Sequence, residues 1–254
     1  MPANAQNQQR RPSAIVIGVG PEKGLGGAIA RRFAGEGYHV FVAGRTAAKI
    51  ATVAEAIIAQ GGTAEPVLAD ATQEAEVEQL FAAAFAERAD IDTPSAVIFN
   101  AGNNARIDFT ETTAEEFEAF WRVGCFSGFL FGRAAARHLL PLGRGTVLFT
   151  GASASLRGRP GFAHFAAAKA GLRMIAQSMA REYGPAGLHV AHIVIDGGID
   201  GERIARLHPE AAAQRGKDGL LDIDALAQVY WQLHNQPRSV WTQELDLRPF
   251  REPF

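Results

Sequence analysis

Residues 13–36 read Ser13-Ala-Ile-Val-Ile-Gly-Val-Gly-Pro-Glu-Lys-Gly-Leu-Gly-Gly-Ala-Ile-Ala-Arg-Arg-Phe-Ala-Gly-Glu36, and the reading of this stretch decides the fold. A β-branched apolar run, Ile15 to Ile17, stops at a cluster of glycines. Beyond it Ala28, Ile29, Ala30 and Phe33 recur at helical spacing, with Arg31 and Arg32 facing out. The pattern is a strand, a tight turn and a helix. Gly20, Gly24 and Gly26 carry no Cβ, so the backbone can take left-handed angles and a ligand can approach the free amides at the helix start. Glycine turns also occur where a strand and a helix merely pack closely. Here the turn heads what reads as a βαβ unit, the context in which a dinucleotide pyrophosphate is held.

Outward from the turn, Tyr38 to Ala43 reads as a second strand ending in Gly44-Arg45-Thr46, followed by a helix over Ala47 to Gln60 and a strand over Ala64 to Ala69 before Asp70. A helix over Glu74 to Arg88 leads to the strand Ala96 to Phe99, which ends in Asn100-Ala-Gly102. Helical stretches over Ala114 to Leu140, the strand Thr146 to Thr150, the loop Gly151 to Pro160 and a long helix over Phe162 to Tyr183 come next. Leu188 to Ile195 is an apolar strand, helices cover Glu202 to Gln214 and Asp222 to His234, and Val240 to Leu247 alternates as a last strand. Strands alternating with helices predict an α/β fold: a doubly wound parallel sheet of Rossmann type with helices on both faces. Ligands then sit outside the carboxyl ends of the strands, where the loops after each strand converge.

At 254 residues and 47% hydrophobic content the chain can bury a large core, and residues 13–254 are expected to form one domain. The net charge of -2, with Lys and Arg scattered, argues against nucleic acid or a membrane surface as a partner. A single cysteine, Cys125, excludes an internal disulfide, and no apolar run reaches the ~20 residues that span a bilayer. Met1 to Pro12 is polar and lacks the apolar segment of a secretory signal, so it reads as a disordered tail on a cytoplasmic protein.

The Gly-x3-Gly-x-Gly spacing of Gly20, Gly24 and Gly26, with Asn100-Ala-Gly102 further on, resembles the short-chain dehydrogenase/reductase family over about Ser13 to Leu247. The resemblance implies a nicotinamide cofactor held by Gly20, Lys23, Gly24, Leu25, Gly26, Asn100, Ala101, Gly102, Lys169 and Gly197, with Asp70 at the adenine. Asp70 also reads as a plain helix cap. Where a carboxylate after the second strand would bind a ribose 2′-hydroxyl, this chain has Arg45, 19 positions after Gly26, with Thr46 beside it. NADP(H) is therefore preferred, with NAD(H) open; the plainer reading is that Arg45 ends a strand and Lys23 is solvated.

In the family a helix carries Tyr-x-x-x-Lys, both side chains on one face, with a serine 13 positions before the tyrosine and an asparagine in a Val-Asn helix segment. Here the residues are Phe165-Ala-Ala-Ala-Lys169, with Ala152 at the serine position and Gly124 at the asparagine position. Lys169 remains, but Phe165 has no hydroxyl and cannot act as acid or base. Ser153 is the substitute donor that stands nearest, or an ordinary loop hydroxyl, with Ser155 beside it. His164 points about 100° from Phe165 on a helix, Asp196 and Asp200 border the substrate side or cap a helix, and Arg157 and Arg159 either clamp an anionic substrate or are solvated. Tyr38, Tyr183 and Tyr230 fall outside the catalytic loops. Cys125 reads as a core thiol, and His189 and His192, three apart on a strand, face opposite ways and make no metal site.

These readings imply an NADP(H)-dependent oxidoreductase of a small carbonyl, alcohol or unsaturated substrate with an altered catalytic tetrad. The alternatives are an NADP(H)-binding sensor or oligomer subunit without catalysis, and a lyase or isomerase using the same pocket. Apolar residues on several faces of the helices near Gly124 to Leu140 and Phe162 to Tyr183, and Trp241, Phe250 and Phe254 in the last stretch, predict a homo-oligomer, dimer or tetramer, as the resemblance also implies.

Overall fold

The computed structural model describes residues 10–207 and 209–252. Its first half runs β1 (Arg11–Ile17), α1 (Leu25–Gly35), β2 (His39–Gly44), α2 (Ala47–Ala59), β3 (Thr63–Leu68), α3 (Glu74–Phe85) and β4 (Ile91–Phe99). The second half runs α4 (Ala114–Trp121), a π-helical turn (Arg122–Phe126), α5 (Ser127–Leu139), β5 (Gly145–Thr150), α6 (Ala163–Tyr183) and β6 (Leu188–Ile195). It continues with β7 (Ile199–Asp200), α7 (Glu202–Leu207), α8 (Pro209–Arg215), β8 (Leu221–Asp222), α9 (Ile223–His234) and β9 (Glu244–Leu247). Seven strands make one parallel sheet in the order β3-β2-β1-β4-β5-β6-β9. This is the doubly wound Rossmann arrangement.

The two-residue period of each strand sorts its side chains between two cores. Ala14 and Val16 of β1, Val40 and Val42 of β2, and Ala96 and Ile98 of β4 pack with Ile29, Phe33 and Tyr230 under α1 and α9. Ile15, Ile17, Phe41, Val97 and Phe99 pack with Phe81, Phe131 and Leu172 under α3, α5 and α6. Both faces are therefore dry, which is why these strands read as nearly unbroken apolar runs. No helix among the described residues is long and apolar enough to cross a membrane.

The order of connection reverses between β1 and β4, and the loops after these two strands touch there. Gly18 has φ +84°, and a Cβ on it would lie 2.3 Å from the amide nitrogen of Ala101. Asn100 seals the junction: its backbone N–H donates to the Ile17 carbonyl at 2.9 Å and its side-chain amide to the Gly18 carbonyl at 3.2 Å. A cleft opens at such a switch point.

Several boundaries differ from the sequence expectation. β1 begins at Arg11, inside the stretch expected to be a disordered tail, because Arg11 pairs with Ile91 and its N–H donates to the Asp90 carbonyl at 2.9 Å. Residues 1–9 of that tail, and Phe254, lie outside the described residues. α3 stops at Phe85, where Ala86 turns extended, and β4 starts at Ile91, with register shifts that absorb Pro94. The helix expected over residues 202–214 is seen as the helical runs Glu202–Leu207 and Pro209–Arg215, with residue 208 between them outside the described residues. The last strand is only Glu244–Leu247, since the Thr242 N–H is taken by the Gln236 side chain at 2.7 Å.

Candidate active site

Two cavities at the carboxyl ends of the strands collect the residues singled out above. One, about 240 Å³, is lined by Gly18, Gly20, Arg45, Thr46, Lys49, Asp70, Ala101, Gly102, Val123 and Ser127 among others. The second, about 850 Å³, takes in the glycine turn from Gly20 to Gly26, Asn100, Gly102, Gly197 and Gly198, and adds Arg106, Phe162, Arg203 and Ile204. Of the residues expected at the cofactor, all but Lys169 line one cavity or the other.

The walls fit a dinucleotide. A Cβ on Gly20 would meet nothing within 4 Å, so the glycine turn is open toward the cavity. Asp70 is not a helix cap, since Gln73 holds that position at α3; its carboxylate closes a short turn by accepting from the Thr72 N–H at 2.9 Å and hydroxyl at 2.8 Å. Arg45 and Lys49 make no ion pair with a described residue. Lys49 was missed by sequence reasoning, although its place in the first turn of α2, four residues after Arg45, is the signal that could have found it. Thr46 stands at the N-cap of α2 yet its hydroxyl accepts no capping bond, so hydroxyl and helix amides alike remain open to an anion.

Lys169 lies behind this wall. It is 4% exposed, its ammonium donates to the Thr150 carbonyl at 2.8 Å, and a Cβ on Gly102 would come within 3.2 Å of Nζ. An ammonium has three donors, so two remain for a ligand's hydroxyls at Gly102. Burial pushes its pKa down from 10.5 to about 8. Below pH 8 the lysine is charged in folded and unfolded chain alike and the cost of burying that charge is fully present. Between about 8 and 10.5 the unfolded chain binds more protons, so stability rises with pH. Lys169→Met is therefore expected to stabilise the cofactor-free protein at neutral pH, by up to about 3 kcal/mol at ~1.4 kcal/mol per pKa unit. The gain should fade as pH approaches 10.5. Thermal melts of both proteins across that range check this, and a variant that melts below the unmodified protein at neutral pH refutes it.

Phe165 and Ser153 line a cavity of about 130 Å³ with Asn104, Arg157, Arg159 and Phe162. The Ser153 hydroxyl is engaged by no described group. Ser155 is spent differently: its Oγ accepts from the Ala152 N–H at 3.1 Å and lies 3.2 Å from His192 Nε2, while His192 Nδ1 lies 3.1 Å from Glu244. Arg173 grips Glu244 at 2.6 and 2.8 Å and is the main reason its carboxyl titrates lower than usual. Burial holds His192 down at about 4. The neutral ring thus donates Nδ1–H to the carboxylate and accepts the Ser155 hydroxyl, a fixed chain that pins the loop after β5. Sequence reasoning missed it because its members come from β6, β9 and α6.

Gly124 sits in the π turn, and a Cβ there would fall 2.8 Å from that of Ala168. No asparagine fits at that position while Ala168 remains. Val123 of the turn and Ser127 directly after it line the 240 Å³ cavity. His164 is fully buried, its ring 4.2 Å from Phe120 and its Nε2 3.2 Å from the carbonyl of Ala105, a residue of the 850 Å³ cavity wall, while His164 itself lines none of the cavities above. Arg157 and Asp196, both candidates for substrate contact, are joined to each other: the guanidinium reaches the two carboxylate oxygens at 2.9 and 2.8 Å, with Arg248 at 3.2 Å. Asp200 is in β7, paired with Asp222.

The remaining candidates are structural. Tyr230 is buried, its hydroxyl 2.8 Å from the Thr150 hydroxyl; Tyr38 bonds His234; Tyr183 ends α6. Burial raises the pKa of the Cys125 thiol. His189 stacks on Trp241 while His192 meets Glu244, and no metal-binding cluster exists among the described residues.

The short chain dehydrogenase family model matches residues 14–211. A short-chain dehydrogenase/reductase of Armillaria gallica is 33% identical over 180 residues, 70% of this chain and 67% of the relative. The crystal structure of a short-chain dehydrogenase from Rhodopseudomonas palustris superimposes with a TM-score of 0.80 at 40% identity, covering 95% of this chain and 100% of that one. A gluconate 5-dehydrogenase from Burkholderia cenocepacia, solved in complex with NADP and tartrate, shares the fold (TM-score 0.81, 22% identity, 95% of each chain). With its Rossmann sheet and its glycine turn at the switch point, the chain belongs to the short-chain dehydrogenase/reductase family of NAD(P)-dependent oxidoreductases.

Proposed function

We propose that residues 13–254 act as one NADP(H)-dependent oxidoreductase domain on a small carbonyl, alcohol or unsaturated compound in the cytoplasm. The observation that carries the cofactor choice is the trio Arg45, Thr46 and Lys49 around one cavity at the end of β2, with cations and a free hydroxyl where a carboxylate would select NAD(H). NADP bound to a protein of the same fold supports it. When bound, the nicotinamide supplies or accepts the hydride. The chain's own part is to orient and to protonate: Lys169 offers its two free donors to the ribose side, and Ser153, whose hydroxyl is uncommitted, or water passes the proton that Phe165 cannot. Fluorescence titration with NADPH followed by turnover on a panel of ketones, aldehydes and enones tests this. Tight NADPH binding with no turnover on the whole panel would replace the reading by a sensor, which the missing hydroxyl at Phe165 also favours.

The same chain is proposed to work as a homo-oligomer. The outer faces of α5 and α6 expose Phe129 (43%) and Met174 (48%) beside a groove of about 500 Å³ that Ile175 and Met179 help line. Apolar groups in a continuous groove favour a covering partner. Light scattering is expected to report a multiple of 27.1 kDa, and Phe129→Glu with Met174→Glu to shift it toward one chain. A single 27.1 kDa species in the unmodified protein would remove the proposal.

A further inference from the structure

The substrate side of the cleft holds more positive charge than the chemistry above uses. In the walls of the 850 Å³ cavity stand Lys23, Arg106 and Arg203, and no carboxylate among the described residues. The adjoining 130 Å³ cavity shares Asn104 and Phe162 with it and adds Arg157 and Arg159, again without a carboxylate. Yet the whole chain has more acidic than basic residues, 27 Asp and Glu against 25 Lys and Arg. A cleft lined by one sign of charge concentrates ligands of the other sign.

Three of these five cations have evident employment. Arg157 is neutralised by Asp196. Lys23 belongs to the glycine turn, where a pyrophosphate is expected. Arg203 donates to the carbonyl and side-chain oxygens of Asn104, which fixes it across the cleft. Arg106 and Arg159 remain. Neither makes an ion pair or a side-chain hydrogen bond with a described residue. The charge beside Arg106 is Asp108, an exposed carboxylate already committed to Thr110 at 2.9 and 2.7 Å.

The two arginines are also held in relation to each other. Their loops are joined by a backbone bond from the Ile107 N–H to the Gly161 carbonyl at 3.0 Å, and the Arg106 stem lies over Gly161, where a Cβ would come within 2.8 Å of it. Phe162 follows directly, its N–H donating to the Arg159 carbonyl at 3.0 Å. Cations thus flank an aromatic floor formed by Phe162 and Phe165, with Ile204 across the cleft.

We infer that the substrate is amphiphilic and anionic: a carboxylate or phosphate held between Arg106 and Arg159, with an apolar body lying on Phe162 and Phe165. The reacting carbonyl or alcohol rests on the function proposed above; the anion site does not. Calorimetric titration of the NADPH complex with straight-chain oxo-carboxylates of increasing length, each against its methyl ester, tests the site without requiring turnover. A parallel series of oxo-alcohol phosphates separates the two anion chemistries. At low salt the charged member is expected to bind roughly 10- to 100-fold tighter than its ester, the worth of one charge-assisted contact. The gap should narrow at ~1 M salt, where charges are screened beyond ~3 Å, and close in Arg106→Gln with Arg159→Gln, while NADPH fluorescence confirms that the variant is folded. A charged member no better than its ester at every chain length, including no binding by either, overturns the inference, as does a gap that survives in the double variant. Anion preference without hydride transfer would instead sink the oxidoreductase reading and leave the site standing.

Discussion

Phe165→Tyr combined with Ala152→Ser is expected to raise NADPH-dependent carbonyl reduction by ~10²–10⁴-fold, the usual worth of a positioned general acid. Phe165 is half-buried and lines a cavity of about 130 Å³, so its ring borders the space where a substrate would sit. Lys169, four residues on, lies on the same face of α6 and carries a positive charge at neutral pH, which favours ionisation of a neighbouring phenol. Ala152 follows β5 in a segment that Ser155 and His192 already pin, so the added hydroxyl starts from a fixed backbone. Gly124→Asn is left out of the variant, because its Cβ would collide with Ala168 and overpacking of this kind costs ~1–3 kcal/mol. Turnover is measured on the carbonyl compound the unmodified protein binds best. A double variant that binds NADPH normally and gains nothing shows that the substrate half has diverged beyond the proton donor, and the sensor or a non-redox use of the pocket then stands in place of the reductase.

How much of this was legible in the sequence depends on whether a feature is local. The strand, glycine turn and helix from Ile15 to Phe33 are fixed by residues within two turns of one another, and the alternating pattern that follows gives a doubly wound parallel sheet, its strand order coming from the structure. Asn100 and Gly102 could be placed because strand ends are local too. The π turn at Gly124 could not, since what meets Gly124 is Ala168 of α6, a residue far off in the chain that only the fold brings there.

The site's electrostatics were the least legible part, for a physical reason. Arg157 and Arg159 are two residues apart in one loop and look equivalent in sequence, yet the first is bound to Asp196 and the second pairs with no described residue; the partner comes from the end of β6. Arg106 lies in a loop with no periodicity, so nothing short of the fold brings it to Gly161. The glycine cradle is recorded in residue types because close backbone approach excludes side chains. Ion pairing is recorded only in space, since any arginine can be solvated at little cost.

Arg45→Asp is expected to invert the cofactor preference, from NADPH tighter than NADH to the reverse, through a fall of roughly 10- to 100-fold for NADPH, since a hydrogen bond to a charged group is worth ~1.5–3 kcal/mol. The change acts in both directions: an aspartate at the end of β2 repels a 2′-phosphate and accepts from a 2′-hydroxyl. Three further features tune the size. Lys49 stays in the same cavity and retains part of the attraction, so Arg45→Asp with Lys49→Gln should fall further than Arg45→Asp alone. The uncapped N-terminus of α2 and the Thr46 hydroxyl persist in both variants and hold a phosphate weakly. Rising salt should weaken NADPH more than NADH in the unmodified protein, because Arg45 and Lys49 are exposed and their attraction is screened. Equal affinities of the unmodified protein for the two cofactors would remove the phosphate from this end of the cleft. Arg45 would then be a solvated residue at a strand end, and the cofactor choice would have to rest with residues other than the trio at β2.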